Sequence, residues 1–165
     1  MSAPCYIAWN QDTSALTGPP TSTALVASTL KTVLQIKPGA SKIRIVEWGY
    51  NFDTVPTAAV TAELVETGTV FATVTTLGSG IRPYNDDTGA ASLASVGVSA
   101  SGFNASAEGS VTASRLLAYQ NEWNSEFKQQ FPLGREPEVN AASALRLRFK
   151  CANVINVSCY VVWEE

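Results

Sequence analysis

The segment from Lys42 to Phe52 constrains the fold of this chain more than any other stretch of the sequence. It is rich in β-branched and aromatic residues and contains no proline, a composition typical of a β-strand. Its apolar positions alternate up to Ile45 and change parity from Val46 onward. Such a change indicates either a β-bulge or a strand that is covered on both faces. We therefore predict a strand in the middle of a sheet, with Trp48 in the core.

Two pairs of neighbouring strands are predicted to form β-hairpins. Apolar and polar residues alternate from Leu145 to Cys151 and again from Ile155 to Trp163, across a turn at 153–156. Residues 30–37 form another half-buried strand, and only a short turn separates them from the central strand. Adjacent strands with short connections commonly pair, so each of these two units is expected to be a hairpin.

The number and spacing of the strands define the expected fold class. About eight strands with short turns predict an all-β, jelly-roll-like antiparallel β-sandwich in one domain over 1–165. The segment 127–133 satisfies both a helical and a strand spacing, and its proline and the following glycine favour a strand. The first and last strands of such sandwiches commonly lie together, which would join Trp9 and Trp163.

Two segments depart from the strand pattern. Residues 1–24 comprise the first strand and a polar arm over 10–23. This arm is either a mobile loop or a segment that lies over a neighbouring subunit. Residues 78–113 are rich in Gly, Ser and Ala and are predicted to form one long irregular insertion. Within it, Asn85, Asp86 and Asp87 lack the ligand spacing of a calcium loop, so a solvated turn is favoured over a metal site.

The composition argues against several classes of function. The chain of 165 residues contains no histidine, which removes the commonest general base and the commonest metal ligand. The net charge of −3 and the absence of basic runs give no footprint for nucleic acid. No apolar run approaches the length that spans a bilayer, and no signal peptide precedes Cys5. We expect a protein without enzymatic activity, cofactor or metal, made in the cytoplasm.

The three cysteines are expected to be free thiols. A turn centred on Ile155 would place Cys151 and Cys159 opposite each other in the C-terminal hairpin, at a distance slightly wider than a disulfide prefers. Synthesis in a reducing cytosol also opposes oxidation, and buried cysteine behaves as a small hydrophobic residue. Free, buried thiols are therefore predicted.

Aromatic side chains outside the predicted core are candidate ligand contacts. Trp48 and Trp163 share the parity of core residues, whereas Trp123 and Tyr84 lie beside or inside irregular segments. Aromatic rings stack on pyranose sugars, so Trp123 and Tyr84 are the residues that would support carbohydrate binding.

Charged side chains give a second set of candidate contacts. Arg146, Arg148 and Lys150 occupy one face of a strand, which is either a solvated face or a surface for an acidic partner that relieves their mutual repulsion. Phosphate binding would use the same row. Glu63 and Glu66 are expected to be solvated residues of an outer face rather than an acid/base pair.

Two blocks of the sequence resemble the head decoration, or cement, proteins of tailed bacteriophages. The first consists of Lys-Ile-Arg-Ile-Val-Glu-Trp-Gly-Tyr-Asn-Phe-Asp at 42–53 and Ala-Val-Thr-Ala-Glu-Leu-Val at 59–65. The second consists of Phe-Pro-Leu-Gly-Arg-Glu at 131–136 and Val-Ser-Cys-Tyr-Val-Val-Trp-Glu-Glu at 157–165. Neither block is a catalytic motif, and core strands mark a fold better than a role.

The resemblance implies a β-sandwich that acts as a structural protein of the virion. Decoration proteins of this kind generally sit on the outer surface of the capsid, often as homotrimers, and bind the major capsid protein to stabilise the head. The expected location is therefore the virion, without contact to nucleic acid or membrane. A receptor- or carbohydrate-binding module of a phage head or tail fibre is the alternative reading.

Overall fold

The computed structural model describes residues 3–11, 13, 23–25, 29–78, 81–85, 90–94, 100–111 and 115–165. These residues form two antiparallel β-sheets packed face to face, without a helix among them. Sheet I contains β1 (Cys5–Trp9), β2 (Thr23–Ala24), β4 (Ile43–Phe52), β7 (Ile81–Pro83), β10 (Glu126–Gln130), β11 (Glu138–Val139) and β13 (Asn156–Glu164). Sheet II contains β3 (Lys31–Ile36), β5 (Val60–Thr67), β6 (Thr73–Thr76), β8 (Gly102–Ala107), β9 (Arg115–Glu122) and β12 (Ala144–Cys151). The predicted all-β, jelly-roll-like sandwich is thus confirmed, and the described residues contain thirteen strands instead of about eight.

The order of the strands sets which edges are open. Sheet I runs β10, β4, β13, β1, β7, with β11 also paired to β4 and β2 to β13. Sheet II runs β6, β8, β3, β12, β5, β9. Because the chain passes from β9 directly to β10, these two edge strands lie on the same side of the sandwich.

The central strand β4 has the position and the irregularity that its sequence predicts. It lies between β10 and β13, and Trp48 is fully buried. Ile45 is opposite Trp163 and Glu47 is opposite Val162, so Val46 is the extra residue of a β-bulge. The change of parity therefore marks the bulge, which keeps apolar residues on the core face along the whole strand.

Both predicted hairpins are wrong. β3 and β4 belong to different sheets, and so do β12 and β13. Each connection crosses from one sheet to the other, a distance of about 10 Å in a sandwich. Alternation predicts the buried strands, but it shows only which face of a strand is apolar. It does not show which strands lie beside it in the sheet, because neighbours in a sheet are joined by main-chain hydrogen bonds.

The first and last strands pair as expected. Tyr6 of β1 is opposite Trp163 of β13, and their rings lie 6.1 Å apart in the core. Trp9 is opposite Tyr160 instead, on the outer face of sheet I. The two tryptophans named from the sequence are therefore on neighbouring strands but on opposite faces of the sheet.

The segment 78–113 is less irregular than predicted, because its described parts add β7 to sheet I and β8 to sheet II. Between them, residues 90–94 are hydrogen-bonded to β1 and to the residue that follows β13 in sheet I. Tyr6 donates its hydroxyl hydrogen bond to the carbonyl oxygen of Ala90 at 2.9 Å, and the Leu93 N–H donates to the Glu165 carboxylate at 2.6 Å. Most of the predicted arm at 10–23 lies outside the described residues.

The predicted strand at 127–133 is confirmed over 127–130, within β10, but residues 131–133 lie outside the strand and lead into the turn at Gly134. Cys151 and Cys159 are buried as expected, and each is a free thiol. They do not face each other across a hairpin, because they lie in different sheets.

Candidate functional site: an apolar patch at the edge of sheet II

The most exposed group of large apolar side chains on a regular strand lies along β9. Leu116, Tyr119 and Trp123 are all exposed, the last to 61%. Leu116 is opposite Val65 and Tyr119 is opposite Glu63, and these two β5 residues are two positions apart. Leu116 and Tyr119 therefore share the outer face of the sheet.

A bulge explains why these two residues share a face at a spacing of three. The register between β5 and β9 shifts between Leu64 and Val65, and Leu117 is the unpaired residue. Leu117 turns toward the core instead and packs against it. Trp123 follows immediately after β9, at the corner that leads to β10. We call the three exposed side chains Leu116, Tyr119 and Trp123 the edge patch.

The edge patch borders an unpaired strand edge. β9 is the last strand of sheet II among the described residues, so the outward N–H and C=O groups of its eight residues have no strand beside them. Soluble proteins commonly protect such edges with lysine, proline or very short strands. β9 contains neither lysine nor proline. It therefore offers both main-chain hydrogen-bonding groups and apolar side chains to a second surface.

The predicted row of three cations is on the outer face of sheet II, two strands from the edge patch, but only its end is accessible. Lys150 is exposed, whereas Arg148 is paired with Glu63, to which its Nε donates a hydrogen bond and with which its Nη2 forms an ion pair. Tyr119, Glu63 and Arg148 are neighbours across three strands. Of the sequence candidates, the structure thus brings Arg148 and Lys150 onto one face, and Trp123 lies at the corner after the edge strand.

Arg146 is not available to a partner, which corrects its assignment as a surface contact. Its side chain is 0% exposed, and it donates to the carbonyl oxygens of Glu108 and Val70. Its guanidinium also lies 3.6 Å from the Glu108 carboxylate. Burial lowers the pKa of Arg146, and Glu108 opposes that shift. The acidic group that relieves the repulsion in this row comes from the same chain.

The expectation that Glu63 and Glu66 are solvated is also wrong, because both are buried. Glu63 pairs with Arg148, and Glu66 with Arg115 at 2.7 Å. Buried carboxylates require such compensation, since an unpaired charge in the interior costs several kcal/mol. The alternation of residues along β5 does not reveal this pairing, because the cationic partners come from β12 and β9. These carboxylates hold strands together and are not arranged as an acid/base pair.

Tyr84 lies away from the edge patch. It is exposed, and its N–H donates to the carbonyl oxygen of Cys5 at 2.7 Å, at the far edge of sheet I. Of the turn at 85–87, only Asn85 is described, and its side-chain oxygen accepts from the Cys5 N–H at 3.2 Å. The calcium alternative for that turn therefore falls mainly outside the described residues.

Within the described ranges, no group of three or more His, Cys, Asp or Glu residues is arranged to hold a metal ion. The same residues include no helix that is long and apolar enough to cross a membrane. No family model, curated protein or solved structure matches this chain.

Proposed function

We propose that this chain is a non-enzymatic decoration protein of a tailed-phage capsid, which binds the major capsid protein and stabilises the outer surface of the head. The edge patch carries this proposal. Exposed aromatic and aliphatic side chains beside an unpaired strand edge are the features that distinguish a protein-binding surface from an ordinary solvent-exposed face. Tryptophan and tyrosine are also the residues that most often dominate the energetics of protein interfaces.

The charges around the edge patch support a protein partner rather than nucleic acid. Glu63 neutralises Arg148, and Lys150 is the exposed cation that is left in this row. The net charge of the chain is −3. A surface with compensated charge and an apolar edge resembles a typical protein interface, in which an apolar centre with few charges is surrounded by a polar rim.

A closed homo-oligomer, a trimer, is part of the proposal. A symmetric shell presents equivalent sites around its rotation axes, and a ring of subunits matches such an array of sites. The resemblance of residues 42–53, 59–65, 131–136 and 157–165 to decoration proteins supports the same state. Size-exclusion chromatography with light scattering should give three chain masses; a monomer at high micromolar concentration that stays monomeric on the capsid would contradict the trimer.

Co-sedimentation with undecorated capsids tests the capsid contact. The parent protein should saturate the capsids at a fixed ratio, and Trp123→Ala or Leu116→Ser should weaken binding by at least about tenfold, the usual effect at an interface hot spot. Leu133→Ser is the matched control, because Leu133 is 95% exposed but lies in the turn after β10. It should bind like the parent. Capsid binding that survives both edge-patch substitutions would overturn the assignment of this surface.

A further inference from the structure

The outer face of sheet I carries a row of side chains that the edge patch does not use. Trp9 of β1, Tyr160 of β13, Gly49 of β4 and Lys128 of β10 are successive neighbours across four strands. Residues opposite one another share a face, so all four lie on the outside of the sandwich. We call this row the aromatic shelf.

Gly49 allows the tyrosine ring to lie across the sheet. A Cβ atom at position 49 would come within 2.8 Å of Cε1 and 2.9 Å of the hydroxyl oxygen of Tyr160. Any other residue would therefore push the ring away from the sheet. The hydroxyl of Tyr160 also donates to the Glu47 carboxylate at 2.6 Å, which fixes the ring at its far end. Burial, followed by this hydrogen bond, raises the pKa of Tyr160, so the phenol stays a donor at neutral pH.

Trp9 extends this platform. Its ring centroid is 4.8 Å from that of Tyr160, with an angle of 40° between the planes. Packing over a glycine accounts for Tyr160 as a stabilising feature of the sheet, but it does not account for Trp9, which is half-buried on the outer face. Together the two rings form an aromatic surface wider than one side chain.

The polar groups beside the rings are arranged without excess charge. Lys128 Nζ lies 3.1 Å from the same Glu47 carboxylate that Tyr160 binds, and the lysine side chain is 63% exposed. Arg82 and Glu126, on the neighbouring strands, are also of opposite sign. An ionic ligand would find no net charge here, whereas hydroxyl groups would find both donors and acceptors.

A shallow recess adjoins the shelf at the β4–β10 side. It has a volume of about 660 Å³ and is lined by Tyr50, Asn51, Glu126, Phe127, Lys128 and Tyr160. This volume is within the range of about 300–1,000 Å³ that is usual for ligand sites. The recess is thus large enough for a sugar residue stacked beside it to place its hydroxyl groups against the Asn51 amide and the Lys128 ammonium.

We propose that the aromatic shelf is a binding site for a neutral oligosaccharide, with one pyranose ring stacked on Trp9 and Tyr160 and its hydroxyl groups bound by Lys128 and Asn51. The C–H groups of a pyranose face carry slight positive charge and are attracted by the negative face of an aromatic ring. The site is on a different sheet from the edge patch, so sugar binding can be tested independently of capsid binding.

Isothermal titration of the full chain with maltohexaose, cellohexaose and hexa-N-acetylchitohexaose tests the proposal. At least one of these should bind saturably with a Kd of about 1 mM or tighter. Trp9→Ala should weaken that binding about tenfold, and Lys128→Ala and Asn51→Ala, which remove the proposed hydroxyl-binding groups, about threefold each. Trp123→Ala is the matched tryptophan control and should leave it unchanged.

Three outcomes would overturn the proposal. They are no saturable binding of any of the three sugars up to about 10 mM, binding that all three shelf variants retain in full, and a homo-oligomer that Lys128→Ala dissociates. The last would show that a second copy of the chain covers the shelf. If Trp9→Ala does not fold, full retention of binding by Asn51→Ala, whose side chain is exposed, would overturn the proposal by itself. Loss of capsid binding in Trp123→Ala with intact sugar binding would separate this site from the capsid contact.

Discussion

Replacing Trp48 by alanine is the most direct test of how this sandwich is held together. The side chain is 0% exposed on the core face of β4. Its ring lies 5.0 Å from that of Phe127 and 5.9 Å from that of Tyr50, measured between centroids. Its Nε1–H donates to Oε1 of Gln129 at 3.0 Å. Trp48 thus joins β4 to the edge strand β10 as well as filling the core.

The expected loss of stability follows from these contacts. Removing a buried tryptophan side chain typically costs about 3–5 kcal/mol, through lost burial and the cavity that remains. Two aromatic neighbours place Trp48 toward the upper end of that range, since such pairs add about 0.5–1.5 kcal/mol each beyond burial. Gln129 is only half buried, so its released oxygen can bind water instead. We expect a loss of about 4–5 kcal/mol, out of a total that is usually about 5–15 kcal/mol.

Urea unfolding followed by far-ultraviolet circular dichroism measures this loss without relying on tryptophan fluorescence. For a chain of this size the melting temperature should fall by roughly 8–20 °C. Trp123→Ala removes the same side chain from an exposed position and should change the unfolding free energy by no more than about 0.5 kcal/mol. A Trp48→Ala protein that melts within about 3 °C of the parent would refute the packing described for β4.

Three further predictions concern charge and thiols. Arg146→Ala removes a fully buried side chain and the hydrogen bonds that it donates to the carbonyl oxygens of Glu108 and Val70, and should cost about 3 kcal/mol in urea unfolding, whereas Lys150→Ala on the same strand face should be nearly neutral; equal effects would contradict the burial of Arg146. Hydrogen bonds from the Asn156 side chain and backbone lower the pKa of Asp53, so its stabilising effect is complete above the unfolded-state pKa of about 3.9 and is lost as pH falls through the lower folded value. Asp53→Asn should therefore flatten the decline of melting temperature below about pH 4, and an unchanged acid limb would exclude this contribution. A thiol reagent without reductant should find three thiols per chain after denaturation and at most one, the half-buried Cys5, before it; only one after denaturation would reveal a disulfide.

The predictions from the sequence that proved wrong share one physical cause. The row of Arg146, Arg148 and Lys150 was correctly placed on one face of a strand, yet only Lys150 is exposed. The groups that cover or neutralise the other two, Glu108 and Glu63, come from distant parts of the chain. The aromatic shelf was missed for the same reason. Trp9, Gly49 and Tyr160 are unremarkable in sequence and meet only through strand pairing, although the glycine within the aromatic stretch 48–52 was a possible signal.

The sequence by itself determined which faces of the strands are apolar, where the central strand bulges and that the fold is an all-β sandwich. These features depend on the period of two along each strand, which any neighbour that excludes water will satisfy. Only the tertiary structure decided which sheet each strand joins, which carboxylate pairs with which cation, and that β9 is the last strand of sheet II among the described residues. These features depend on contacts between residues far apart in the chain. The local sequence pattern does not distinguish between the possible partner strands, and the geometry of the connections selects one of them.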